Sequence, residues 1–134
     1  MDQSEPIAAV EYLPQATVVT IVTPYIMDEA VLARLRDTIE PIVVEKIVPA
    51  LIIDFSDVRG LCSSAIGYLV AIKRRFDQAG GRLIICCVEN KVKNAPSDKF
   101  VYEIFKVVKL DRYFELCPSV DAALCLLAAS PCPP

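Results

Sequence analysis

Apolar residues change their spacing several times along this chain, and each change marks an element. Ile7 to Leu13 reads as a short strand, and Pro14 stops it. Ala16 to Thr23 is β-branched almost throughout, which favours a strand, and Pro24 ends it. From Met27 to Glu40 the period becomes helical. Val31, Leu32, Leu35 and Ile39 share one face, with Arg34, Arg36 and Asp37 elsewhere. Asp28 suits an N-terminal cap or a first-turn acid. Pro41 is expected to interrupt or restart this helix on its way towards Val48.

Ala50 to Phe55 is an unbroken apolar run after Pro49, the pattern of a central strand covered on both faces. Ser56 to Cys62, with Gly60, reads as a connecting loop. The helical period returns from Ser63 to Ala79 through Ile66, Leu69 and Val70, and Gly80-Gly81 stops it. Arg82 to Val88 is a second apolar strand. Strand, helix and strand with tight links predict a βαβ unit, hence a parallel pair with a right-handed crossover. Glu89 to Lys99 is a polar connection, Phe100 to Val108 a helix, and Tyr113 to Leu116 a short strand. Pro118-Ser119 opens a last helix, Val120 to Ala129. The pattern predicts an α/β fold in one domain, residues 7–129, between a frayed N-terminus at 1–6 and a Pro-rich tail at 130–134.

Composition narrows the chemistry. With 134 residues and 54% hydrophobic content, the chain can bury a core without disulfides or metals. A net charge of −3 argues against nucleic-acid binding and against attraction to an anionic membrane. Histidine is absent, which excludes a Ser-His-Asp or Cys-His nucleophile and a histidine general base within the chain. The four glycines form neither Gly-x-Gly-x-x-Gly nor a Walker pattern. Met1 is followed by Asp2 and Glu5 rather than by a basic segment and an apolar core. The longest apolar run, Ala122 to Ala129, is too short to span a bilayer. The expected location is the cytoplasm, with cysteines reduced.

Cys62, Cys86, Cys87, Cys117, Cys125 and Cys132 contain no Cys-x-x-Cys pair, so neither zinc nor a disulfide framework is expected. Most read as small buried hydrophobes. Asp54 and Asp57 stand near the end of a central strand, where α/β folds often place catalytic or metal-binding carboxylates. Without a phosphate loop or a nucleophile motif, they read as capping and turn residues. Lys73-Arg74-Arg75 reads as a solvated helix face.

Five stretches together resemble one family. Leu51-Ile-Ile-Asp-Phe-Ser-Asp-Val58 is similar to a strand and loop of STAS domains. Leu61-Cys-Ser-Ser-Ala-Ile-Gly-Tyr-Leu69 resembles the Asp-Ser-Ser-Gly-Leu-Gly-x-Leu signature of anti-sigma factor antagonists. Ala79-Gly-Gly-Arg-Leu-Ile-Ile85 resembles the family's Gly-Gly-x-Leu strand start. Ile104 to Leu116 and Val120 to Leu124 resemble its closing elements. The resemblance runs from about Ile7 to Ala128. It implies a mixed β-sheet with helices packed mainly on one face, and a regulatory module that binds proteins and does no chemistry of its own.

Carried onto this chain, the resemblance makes Ser63 the phosphorylated residue, with Ser64 as fallback acceptor or cap. Asp28, Cys62, Ser63, Ser64 and Ala65 become the partner-binding set, and the partner an anti-sigma factor or a switch kinase. No cofactor and no metal is implied. Cys62 departs from the signature aspartate and Ala65 from its glycine. A cysteine offers neither the charge nor the acceptors of a carboxylate. Three readings follow: a phosphorylation-switched antagonist, an unphosphorylated scaffold or subunit of a stress-signalling or lipid-transport assembly, and a flavodoxin-like nucleotide binder. Thiol titration of freshly isolated, unfolded protein without reductant is expected to find all six thiols. A lower count, or stoichiometric zinc, overturns the cysteine reading.

Overall fold

The computed structural model describes residues 7–45, 50–86 and 113–129. A five-stranded sheet runs in the order β1-β2-β4-β6-β7, with β1 at Ala8–Tyr12, β2 at Thr17–Ile21, β4 at Ala50–Asp54, β6 at Arg82–Cys86 and β7 at Glu115–Cys117. Among the described strands, only β1 runs antiparallel to its neighbour. It joins β2 through a tight turn at Pro14-Gln15, where Leu13 N–H donates to the Ala16 carbonyl at 2.9 Å. The remaining strands are parallel, and β4 pairs with β6 in the register Leu51↔Leu83, Ile52↔Ile84 and Ile53↔Ile85.

Period-two alternation sorts these side chains onto two faces. Val19, Ile21, Leu51, Ile53, Leu83 and Ile85 meet the two long helices, α1 (Glu29–Glu45) and α2 (Ser63–Ala79). Leu32, Leu35, Ile39 and Ile42 supply the apolar stripe of α1; Ala65, Leu69, Ile72 and Phe76 supply that of α2. On the opposite face Val18, Ile52, Ile84 and Cys86 pack with Ala123 of the terminal helix α3 (Val120–Ala129). Leu51, Ile52 and Ile53 are all 0% exposed, which explains the unbroken apolar run there.

Helix ends follow local chemistry. Gly80 closes α2 at φ 83°, a left-handed conformation that a side chain would strain, and Gly81 N–H returns to the Phe76 carbonyl at 2.8 Å. Ser119 caps α3 by accepting the Ala122 N–H at 3.0 Å. Two expectations need correction. Pro41 does not interrupt α1, which is continuous from Glu29 to Glu45. Pro41 is exposed while Ile39 and Ile42 beside it are buried, so packing on the core side holds the helix through the missing hydrogen bond. The stretch from Ser56 to Cys62 is not all loop, because Gly60–Leu61 forms a short strand, β5, on β3 (Tyr25–Ile26). The connection and helix expected over 89–108, the proposed termini, Cys87 and Cys132 lie outside the described residues.

The cysteines divide. Cys86 is buried, Cys62 and Cys117 are half-buried, and Cys125 is exposed on α3, so the expectation that most cysteines are buried does not hold among the described residues. Burial pushes the Cys117 thiol up, Glu115 adds to this, and Arg82 works against it. Arg82 grips Glu115 across β6 and β7 with contacts of 3.1 and 2.6 Å.

A polar clamp ties α1 to α2. Tyr68 Oη donates to Glu40 at 2.8 Å, Arg75 reaches both Glu40 oxygens at 3.1 and 3.0 Å, and Arg36 lies 5.4 Å from the centre of the Tyr68 ring. Burial raises the Glu40 carboxyl, but the hydrogen bonds from Tyr68 and Arg75 and the charges of Arg75 and Arg36 outweigh it and hold the group below its ordinary value. Burial and the Glu40 bond push the Tyr68 hydroxyl well up. Since the folded value of Glu40 lies below the unfolded one, its contribution is present at neutral pH and lost as pH falls from about 4.5 through the folded value. Tyr68→Phe is expected to cost about 1 kcal/mol at pH 7. The difference from wild type should shrink in acid-range urea titrations, and a cost independent of pH between 7 and 3 counts against the clamp.

Candidate functional site

The parallel strands β2, β4 and β6 all end at one edge of the sheet, and the chain leaving two of them builds a small platform there. After β2 the chain passes Pro24 into β3; after β4 it turns through Phe55 to Arg59 into β5. The Asp54 carboxylate accepts the Ser56 N–H at 2.9 Å and shapes the turn. That is the turn role expected of Asp54, and Asp57 lies exposed in the same turn. Phe55 N–H donates to the Cys86 carbonyl at 2.9 Å, and Val58 N–H returns to the Phe55 carbonyl at 2.9 Å. Buried Phe55 and Val58 anchor the turn in the core.

β3 and β5 then pair in parallel, Tyr25↔Gly60 and Ile26↔Leu61. Arg59 and Gly60 N–H groups reach the Pro24 carbonyl at 2.6 and 3.2 Å, and Cys62 N–H reaches the Ile26 carbonyl at 2.9 Å. Ile26 and Leu61 are buried beneath the ribbon. Each strand runs directly into a long helix. Asp28 stands two residues after Ile26, and Ser63 two residues after Leu61, so the ribbon brings the N-termini of α1 and α2 together.

Asp28 caps α1, its carboxylate accepting the Val31 N–H at 2.9 Å. At α2 the cap position belongs to Cys62, with extended backbone at φ −90° and ψ 167° and no side-chain capping bond. Ile66 N–H to the Cys62 carbonyl, at 3.2 Å, starts the helix. Ser63 and Ser64 follow in the first turn, both exposed. Neither serine is the cap. The first-turn N–H groups of a helix have no partner within the helix and, with its dipole, favour an anion. Ala65 points the other way: it is 2% exposed and packs in the core, so its side chain does not reach the platform surface.

Two apolar side chains complete the platform, and the sequence reading missed both. A Cβ built on Gly60 would lie 3.1 Å from Tyr25 Cδ1 and 3.4 Å from Met27 Sδ, so these side chains lie over the glycine. Tyr25 is 53% and Met27 52% exposed, and Val22 is exposed nearby in the chain. The expected solvated basic face holds for exposed Arg74 and Arg75 but not for Lys73, whose side chain is only 13% exposed, pairs with Asp77 at 2.8 Å and lies 5.4 Å from the Tyr113 ring centre; Arg75 pairs with Glu40. Among the described residues, no group of three or more His, Cys, Asp or Glu side chains is placed to hold a metal, and no helix is long and apolar enough to cross a membrane.

The family model of the STAS domain matches residues 8–123. No curated protein matches the chain. Solved structures share its fold. An anti-sigma factor antagonist from Mycobacterium paratuberculosis is 24% identical, with TM-score 0.71 over 90% of this chain and 92% of that one. An anti-sigma-factor antagonist (STAS) domain protein from Planctomyces limnophilus is 20% identical, with TM-score 0.70 over 90% and 96%. The Bacillus cell fate determinant SpoIIAA in its phosphorylated form is 16% identical, with TM-score 0.62 over 87% and 96%.

Gly60→Ala is expected to displace the Tyr25 ring, since 3.1 Å is closer than a Cβ normally approaches. The measurement is tyrosine side-chain NMR shifts, with Gly67→Ala, where added bulk meets nothing within 4 Å, as the control. Equal responses from the two variants count against the arrangement.

Proposed function

The chain belongs to the STAS domain family, and on that premise we propose that it is a regulatory docking module whose platform around Ser63 binds an anti-sigma factor or switch kinase. Binding rather than catalysis is its work. The observation that carries the reading is the β3–β5 ribbon, which gathers exposed Asp28, Ser63 and Ser64 beside exposed Tyr25 and Met27. A surface of this kind joins an apolar anchor to a polar rim, the composition that docking sites favour.

The control element is Ser63. Its hydroxyl oxygen would attack the terminal phosphoryl group of a nucleoside triphosphate held by the partner kinase, its proton passing to a base of that kinase as the bond to the nucleoside diphosphate breaks and the diphosphate leaves. The product adds about two negative charges at the start of α2, where unpaired N–H groups favour an anion. On the outer side the same charge meets the partner. A structural relative, SpoIIAA, is known in a phosphorylated form, which supports the reading.

Cys62 favours a second reading, an unphosphorylated scaffold within a larger assembly. At the cap of α2 it makes no side-chain bond, and it supplies no carboxylate beside the acceptor. The two readings separate experimentally. Partners are identified by pull-down from native lysate with mass spectrometry of proteins and phosphosites, and their affinities are then measured. Ser63→Asp is expected to weaken the partner that prefers the unmodified form by about 5- to 150-fold. Ser63→Ala is expected to keep that affinity and to block modification, and Cys62→Asp to raise modification by the cognate kinase. Unchanged affinity of every captured partner for Ser63→Asp sinks the switch and leaves the scaffold.

A further inference from the structure

The edge strand β1 has a second property, independent of the Ser63 platform. Its register with β2 runs one to one from Ala8↔Ile21 to Tyr12↔Thr17 without a bulge. Val22 N–H donates to the Ile7 carbonyl at 2.8 Å, and Leu13 N–H to the Ala16 carbonyl at 2.9 Å. In an antiparallel ladder, hydrogen-bonded pairs alternate with pairs whose N–H and C=O groups point away. Ile7, Ala9, Glu11 and Leu13 therefore bond to β2. Ala8, Val10 and Tyr12 present their N–H and C=O groups to the outer edge, and no strand pairs with that edge among the described residues.

This outward set is symmetric about Val10. Proline, which has no N–H to donate, stands four residues to either side, at Pro6 and Pro14. The stretch able to offer donors is thereby centred on Val10. We propose that β1 pairs antiparallel with β1 of a second copy of this chain, with Val10 opposite Val10 on a two-fold axis, extending the sheet across a dimer.

In that register every outward N–H finds an outward C=O. Ala8 faces the second copy's Tyr12, and Ala9 faces the second copy's Glu11. Large residues meet small ones on both faces, and no two like charges stand opposite. Tyr12, 72% exposed in one chain, gains a neighbour across the axis. A two-fold interface of this kind is closed, so the edge is consumed and no filament grows from it. The self-matching sizes select a second copy rather than a strand of another protein.

The test exploits Ala9, which is exposed and makes no contribution to the core. Sedimentation equilibrium of the wild-type chain is expected to give a reversible monomer–dimer equilibrium. Ala9→Glu puts two like-charge pairs across the axis, and Ala9→Lys puts two opposite-charge pairs there. The dimer constant should weaken with glutamate and tighten with lysine, each by about 2- to 30-fold, and the two shifts should shrink together in high salt. Tyr12→Pro removes outward donors without touching the β2 ladder and should also weaken the dimer, with circular dichroism confirming the fold. A monomer at all concentrations up to about 1 mM, well into the weak range for specific association, overturns the proposal. So do glutamate and lysine variants that shift the equilibrium alike or not at all. Pairing of β1 with a strand from a different protein, in place of self-association, also overturns it.

Discussion

The structure hangs on β4, a strand hydrogen-bonded on both sides and covered on both faces. Its neighbours β2 and β6 satisfy its backbone, while Leu51 and Ile53 bury against the long helices and Ile52 against the layer under α3. From Ala50 to Ile53 such a strand has no surface left for water, so those side chains must be apolar and their backbone groups paired, and Asp54 stands only at its end. The parallel direction of β2 and β6 follows from connections that cross over helices α1 and α2, and those helices must then lie on one face. Nearly the whole architecture is a consequence of enclosing this strand.

The same enclosure creates the platform. All parallel strands around β4 end at one edge, and the chain must turn there before each helix begins. β3 and β5 are only two residues each, too short to stand alone. They hold because Ile26 and Leu61 are buried beneath them and because Phe55 and Val58 anchor the turn that delivers Gly60. The ribbon in turn fixes how close the two helix starts lie. The geometry of this platform is therefore inherited from packing in the core, while its surface is set by a few exposed groups: a capping carboxylate at Asp28, the hydroxyls of Ser63 and Ser64, and the aromatic and thioether side chains laid over Gly60. The Glu40–Tyr68–Arg75 clamp stabilises the same pair of helices from their outer side.

Most elements were legible because each carries a local signal. Thr17–Ile21 is β-branched, Ser63–Ala79 keeps a helical period and ends at a glycine pair, and Val120–Ala129 opens at a serine cap. The failures also have local causes. Proline weighs against helix in any local reading, yet Pro41 is carried within α1 because buried Ile39 and Ile42 hold both sides of it. A pair of two-residue strands contains too few positions to display a period, so β3 and β5 were invisible. Gly60 was the one available hint, since an isolated glycine often marks a close approach by another segment.

What the sequence determined by itself was the alternation of strand and helix, the βαβ unit with its parallel pair, the place where α2 starts and stops, and the exclusion of histidine-dependent chemistry. These depend on periodicity, capping and residue inventory, all of which act over a few neighbouring residues. Only the tertiary structure decided that Asp28 and Ser63 share one surface, that Cys62 rather than a serine occupies the cap of α2, that Ala65 faces the core, and that Tyr25 and Met27 lie exposed over Gly60. The first and last of those relations, Asp28 with Ser63 and Tyr25 and Met27 with Gly60, join residues more than thirty positions apart in the chain. They exist only once β2 and β4 pair in register, because that register, not any local preference, sets which loop meets which.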